Sequence, residues 1–245
     1  MDLQNAINGA ASSLMGIKHE QNMLTNDLAN IKSNGHFPSI VKINAIQDRN
    51  TGAEAYTYAI EGGDKINFSQ GYLEETGNPY DVAVQSEDGD SFFMIQTPGG
   101  VRYTRKGHMQ LSATGEAIDD QGNAFLDNGG AAIIIPSNQT ITIGGNGIIS
   151  TSSGVVGKMG VVKFSSLDQM TREGHGYYTT TEAPTPAPKA SVLQGSLEMP
   201  STSTVAVMTR LMELSKTYED NVTLIKNSLD ARNDMLKVIG ISINA

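Results

Sequence analysis

The N-terminal stretch restricts this chain more than any other segment. Leu3, Ile7, Ala10, Leu14, Ile17, Leu24, Leu28 and Ile31 fall at alternating gaps of four and three, and only Gln21 interrupts them. A period of 3.5 is the seam of a helix that packs lengthwise on another helix. The other positions carry Asn, Gln, Ser, Lys18, His19, Glu20 and Asp27. Gly9 and Gly16 lie inside the stripe and weaken an isolated helix by roughly 1 kcal/mol each relative to Ala. Such a helix needs a partner to persist.

The C-terminus supplies a second seam. Val207, Leu211, Leu214 and Tyr218 set it, and Val222, Ile225, Leu229, Leu236, Ile239 and Ile243 resume it, with Arg232 in one seam place. The step from Tyr218 to Val222 adds a gap of four, a stutter that locally unwinds a supercoil. Ser201, Thr202 or Ser203 can cap the start after Pro200. Two amphipathic helices covering the rest of an ordinary monomer is the plainer alternative, but both seams are narrow and sit at opposite chain ends.

Between the seams no helical period persists. Candidate strands are Ile40–Ile46, Asp81–Gln85, Phe92–Gln96, Val101–Arg105, Met109–Leu111, Ala131–Ile135, Thr140–Ile143, Gly147–Ser150 and Gly160–Phe164. Pro98-Gly99-Gly100, Asp120-Gln121-Gly122-Asn123 and Asn128-Gly129-Gly130 supply hairpin chemistry between them. Ala183-Pro184-Thr185-Pro186-Ala187-Pro188 reads as a stiff return linker. The expected class is α+β: long end helices pair as a coiled-coil-like rod around an inserted all-β domain of barrel or sandwich type. The expected boundaries are 1–36 for the first helix, 37–80 for an extended segment, 81–182 for the β-domain, 183–200 for the linker and 201–245 for the second helix.

Composition agrees with a small core plus segments buried only in an assembly. Of the 245 residues, 38% are hydrophobic and 6% aromatic, with no Trp. A formal charge of −9 disfavours nucleic acid as a partner. The chain has no Cys, so disulfide frameworks and thiolate metal sites are out. No apolar run reaches the ~20 residues that span a bilayer, so no direct membrane insertion is expected. Met1-Asp2-Leu3-Gln4-Asn5 lacks a basic n-region and an apolar h-region, so no Sec-type signal peptide is expected and work outside the cytoplasm needs another export route.

Residue types that do chemistry are present without the spacing that chemistry requires. His19, His36, His108 and His175 are scattered, none with a second His or acid at metal-ligand spacing. Glu87, Asp88 and Asp90 read as a solvated turn and Gly144-Gly145-Asn146-Gly147 as a hairpin. No catalytic residue, metal or cofactor is expected. Tyr103-Thr104-Arg105-Lys106 is a short basic patch in an acidic protein, with an intersubunit or core-edge role. A carbohydrate-binding or adhesin-like β-domain is the rival class, and it calls for exposed aromatics drawn from Tyr56, Tyr58, Tyr72, Tyr177 and Tyr178.

Four segments in order resemble the flagellar rod and hook protein family. Asp27-Leu28-Ala29-Asn30 with Ser33, Gly35 and Phe37 is similar to the family's Asn-Leu-Ala-Asn helix ending followed by Gly-Phe, with His36 as one inserted residue. Asn34-Gly35 before Pro38 is a helix-stop signal in its own right. Gly71-Tyr72-Leu73 and Thr76-Gly77-Asn78-Pro79-Tyr80-Asp81-Val82-Ala83-Val84 with Phe92-Phe93 form the second segment. Tyr103-Thr104-Arg105-Lys106-Gly107, continued through Gly115 to Gly122, forms the third. Leu193-Gln194-Gly195-Ser196-Leu197-Glu198 forms the fourth, with Glu213 and Tyr218-Glu219 farther on where relatives carry Gln-Arg-Xaa-Tyr-Glu.

The resemblance implies a structural subunit of the proximal rod, with the distal rod as the alternative. It implies export through the flagellar type III apparatus and partners that are copies of this chain and other rod and hook subunits. End helices would pack into tubes, under an outer layer of β-domains, and transmit torque. The residues expected at that interface are Leu3, Ile7, Leu14, Ile17, Leu24, Leu28, Asn30, Ile31, Val207, Leu211, Leu214, Tyr218, Val222, Ile225, Leu229 and Leu236.

Overall fold

The computed structural model describes the backbone of residues 3–48, 56–86, 89–136 and 139–238, and side chains over 9–41, 65–86, 89–136 and 139–237. The fold is α+β, with one long helix toward each end and short strands between them. Two compact units divide the chain: a helical unit of Met1–Ala29, Ser39–Lys65 and Thr204–Ala245, and a β-unit of Asn30–Pro38 and Ile66–Ser203.

In the helical unit, α1 spans Leu3–Ala29 and α2 spans Thr204–Val238. Cross-contacts show that the two helices run antiparallel. Asn221 Nδ2 lies 3.5 Å from Ser13 Oγ, Gln21 Nε2 donates to Ser215 Oγ at 3.3 Å, and Arg210 Nε donates to Glu20 Oε1 at 2.8 Å. Position rises along one helix as it falls along the other. The helix α1 ends short of the expected stop: Asn30 to Ser33 close a turn in which Ser33 N–H donates to the Asn30 carbonyl at 2.9 Å. The strands Ser39–Asp48 and Tyr56–Ile66 form a two-stranded sheet in the stretch expected to be extended. The first of them is fastened at its start, where Ser39 N–H donates to Asp27 Oδ2 at 2.9 Å.

The β-unit is built on the strand Ser91–Thr97. It pairs antiparallel with Gly100–Thr104, Val161–Lys163 and Ala124–Phe125. Its side chains are buried on both faces, so the strand reads as a continuous apolar run rather than an alternation. Phe93 and Ile95 enter an aliphatic cluster with Val82, Val84, Phe125 and Ile149. Phe92 and Met94 enter an aromatic cluster with Phe37, Phe68, Tyr103, Phe164 and Tyr178. Rings there meet edge-on, at 5.0 Å for Phe37–Phe68 and 4.7 Å for Tyr103–Phe164, the arrangement ring quadrupoles favour.

Turns follow the sequence closely. Thr97 pairs with Gly100 around Pro98-Gly99, and Asp119 N–H donates to Asn123 O at 2.9 Å around Asp120–Gly122. Gly144–Gly147 is a hairpin turn, with Gly144 N–H donating to Ile148 O at 2.9 Å. Two expectations need correction. Ala131–Ile135 forms only isolated bridges, Leu126 with Ala132 and Glu116 with Ile134, although Ile133 and Ile135 point into the core. The proline run is not a bare linker either, because Thr185–Pro186 pairs with Val162–Lys163. A strand that must donate on one side only accommodates proline at its edge.

Glu182 closes the loop after Phe164. Its carboxylate accepts N–H groups from Ser165 at 2.8 Å and Ser166 at 3.1 Å, and those bonds hold its pKa below the ordinary 4.5. A depressed folded pKa contributes stability above the ordinary value, lost as pH falls through the folded one. Exchange protection of the Ser165 and Ser166 amides is therefore expected at neutral pH and lost as the solution drops below pH 4.5. In Glu182→Gln that pH dependence disappears.

Candidate assembly interface

The seam residues of α1 and α2 are covered to different degrees. Ala10 and Ile17 on α1 are buried, as are Val207 and Leu214 on α2. Leu14, Leu24, Leu28, Leu211, Ile225, Leu229 and Leu236 are half-buried, as are Asn30 and Ile31, which lie beyond the end of α1. Gln21 fills its seam place by hydrogen bonding to Ser215 on α2. Tyr218 and Val222 remain 39% and 42% exposed. They flank the stutter, where the extra gap of four rotates the stripe outward. The side chains of Leu3, Ile7, Ile239 and Ile243 lie outside the described residues.

Flanking the α2 seam is apolar surface that the seam pattern did not reveal. Val205, Met208 and Met212 follow one another at helical spacing and are exposed, as are Leu224 and Met235 farther along and Met15 on α1. The signal in the sequence is the Val205-Met208-Met212 spacing itself, which a single apolar period per helix conceals. Arg210 and Glu20 border the helix pair, and the hydrogen bond from Arg210 to Glu20 raises the guanidinium pKa further.

In the β-unit, the segments that carry the family resemblance converge on one buried ion pair. Arg105 Nη1 donates to Glu198 Oε2 at 2.6 Å, and both side chains are almost wholly shielded from solvent. Arg105 Nε also donates to the Ser91 carbonyl, and the guanidinium lies 5.5 and 5.1 Å from the ring centroids of Phe37 and Phe92. The other carboxylate oxygen of Glu198 accepts Gly71 N–H at 3.0 Å, and the Glu198 carbonyl accepts Gly35 N–H at 2.8 Å. Gly35 has φ +63, and a Cβ there would lie 2.4 Å from Lys106 N. Only glycine fits a left-handed residue pressed against backbone.

Beside this latch, Gly195 N–H donates to Asp81 O at 2.7 Å, while Gly195 O accepts Thr76 and Gly77 N–H. The Asp81 carboxylate accepts Thr76 Oγ1 at 2.6 Å and Asn78 Nδ2 at 3.0 Å, and His108 Nδ1 lies 2.6 Å from it. Gln194 donates to the carbonyls of Pro79 at 2.8 Å and Ile141 at 3.1 Å. The chain running on from α1 and the chain about to enter α2 are thus tied to one point of the β-unit.

Arg105 therefore lies in the core and not at a subunit boundary or the core's edge: Glu198 and Ser91 hold Nη1 and Nε and two aromatic rings flank the guanidinium, while the buried Nη2 has no hydrogen-bond partner among the described residues. The aromatic groove required by the rival class is also corrected. Tyr177 and Tyr178 are buried, while Tyr72 is exposed and Tyr56 and Tyr58 lie outside the described side chains. Burial raises the pKa of Tyr103, Tyr177 and Tyr178, with a hydrogen bond to Asp119 adding to the rise at Tyr177. These phenols stay protonated at neutral pH, as structural hydroxyls do. Of the acidic turn, Asp90 meets Ser91 Oγ at 3.1 Å and Lys163 at 4.0 Å. Among the described residues, no group of three or more His, Cys, Asp or Glu could hold a metal ion. Among them, too, no helix is long and apolar enough to cross a membrane.

Comparison with known proteins follows the same lines. Residues 88–151 match the family described as flagellar hook protein FlgE/F/G D1 domain, a stretch that contains Arg105 and the hairpins after it. Flagellar basal-body rod protein FlgF of Caulobacter vibrioides is 29% identical over 97% of this chain and 99% of its own length. The FlgF protein of Mesorhizobium japonicum is 28% identical over the same shares. Flagellar basal-body rod protein FlgG of Bacillus subtilis is 24% identical over 93% of this chain and 97% of its own. Such relatives match the chain end to end and their shared domain matches its centre, so it is similar over nearly its whole length to flagellar basal-body rod proteins.

Proposed function

We propose that this chain is a structural subunit of the bacterial flagellar basal-body rod, of the FlgF type, acting as a building block of a torque-bearing shaft and not as an enzyme. The observation that carries the reading is the apolar seam on α2, which runs on past its buried part to the exposed Tyr218 and Val222. An apolar stripe of that kind finds its burial in another molecule. The stripes of α1 and α2 make coiled-coil seams with copies of this chain and with other rod and hook subunits, and the β-unit is of barrel-like form. Export follows the flagellar type III route to the basal body in the cell envelope. The FlgG-type distal rod is the second assignment, because FlgG proteins match nearly the whole chain.

Tyr218→Asp and Val222→Asp test the proposal. Both positions are exposed in the single chain, so each substitution should change its stability by no more than ~0.5 kcal/mol. In an assembly each would bury a carboxylate in an apolar seam. The expected result is an unchanged melting temperature with loss of rod assembly and motility. Motile cells carrying both substitutions would sink the reading.

A further inference from the structure

Among the described residues, the exposed and the buried methionines fall in different units, while Met23 on α1 and Met199 in the β-unit are half-buried. In the β-unit, Met94, Met109, Met159 and Met170 are all buried. On the helices, Met15, Met208, Met212 and Met235 are 75%, 49%, 65% and 66% exposed. Met208 and Met212 stand one turn apart on a face shared with Val205, and Met235 lies beyond the exposed Leu224 near the end of α2. Each of these side chains is open to water, whereas those of Met94, Met109, Met159 and Met170 are at most 9% exposed.

From this we infer that Met15, Met208, Met212 and Met235 form an oxidation site that makes assembly sensitive to peroxide. The sulfur lone pair attacks one oxygen of hydrogen peroxide. An S–O bond forms as the O–O bond breaks, the second oxygen leaves as water, and two electrons pass from sulfur to peroxide. The product sulfoxide is polar and chiral where the thioether was apolar and pliable. In the single folded chain it is solvated and costs little. When a neighbour covers the helix surface, the sulfoxide oxygen has to be buried without a dedicated donor. The free subunit is therefore the vulnerable form, and packing shields the sulfurs afterwards. The consequence for assembly rests on the function proposed above; the assignment of the reactive sulfurs does not.

The test uses the full-length folded chain, treated with hydrogen peroxide and mapped by peptide mass spectrometry. The four helix methionines should each gain one oxygen before any of Met94, Met109, Met159 or Met170. Self-association measured by sedimentation should then weaken about tenfold or more, the scale of burying an unpaired polar group. A variant carrying Met15→Leu, Met208→Leu, Met212→Leu and Met235→Leu keeps the apolar bulk and should associate equally before and after treatment. Prior oxidation of the β-unit methionines overturns the assignment. Undiminished association of the oxidised chain, or equal loss in the leucine variant, overturns the consequence. An untreated chain that stays monomeric overturns the assembly function, and the consequence falls with it while the mass map still decides the site.

Discussion

Glu198→Ala should destabilise the β-unit by about 3–5 kcal/mol, the cost of leaving one member of a buried ion pair uncompensated. Arg105 is fully buried, so its charge cannot turn to water once the carboxylate is gone. The same change removes the acceptor of Gly71 N–H, adding an unpaired backbone donor. Urea unfolding of the β-unit reads the loss, as a fall in midpoint at constant slope. A double substitution, Arg105→Met with Glu198→Leu, separates charge from packing. It removes both partners together and should recover most of the stability. If Glu198→Ala costs less than ~1 kcal/mol, the pair is not a latch, because that is the range of solvent-exposed pairs.

Leu214→Asp should have a comparable effect in the helical unit. Leu214 is 4% exposed. Removing a buried Leu side chain costs about 2–5 kcal/mol, and a carboxylate in its place adds the cost of an unpaired charge. A helix pair has little else to hold it, since isolated helices are marginal and depend on the packing of one face. Circular dichroism should lose much of the helical signal, while the aromatic cluster around Phe92 and Tyr178 keeps its near-ultraviolet spectrum. Loss of both signals together would show that the helices and the β-unit fold as one cooperative block.

These two predictions draw on different levels of information. Leu214 was legible from its place in the seam, because a helix repeats its surface every few residues and burial follows that period. The turn residues were equally legible: Pro98-Gly99 and Gly144–Gly147 close hairpins through local backbone preference. Strands that pair with distant partners were not. Ser191–Gln194 pairs with Val82–Gln85, and Ser196–Glu198 with Leu73–Glu75. Nothing near residues 191–198 encodes those pairings, and the prolines before them read as a linker.

Arg105 shows the division most sharply. On its own it is a basic residue in an acidic protein, and the expectation is an intersubunit or core-edge role. Its motif and the Glu198 motif were both visible, but their contact was not, since a charge is affordable in a core only where distant segments bring its counter-charge and hydrogen-bond acceptors together. By itself the sequence determined the two seams, the turns, the α+β class and the family resemblance, because these depend on local periodicity and on residue order. Only the tertiary structure decided that the resemblance-bearing segments meet at Arg105 and Glu198, that the α2 seam turns outward at Tyr218 and Val222, and that the exposed methionines among the described residues lie on the helices. Those facts depend on which surfaces remain uncovered once non-local contacts form, and no local pattern carries that information.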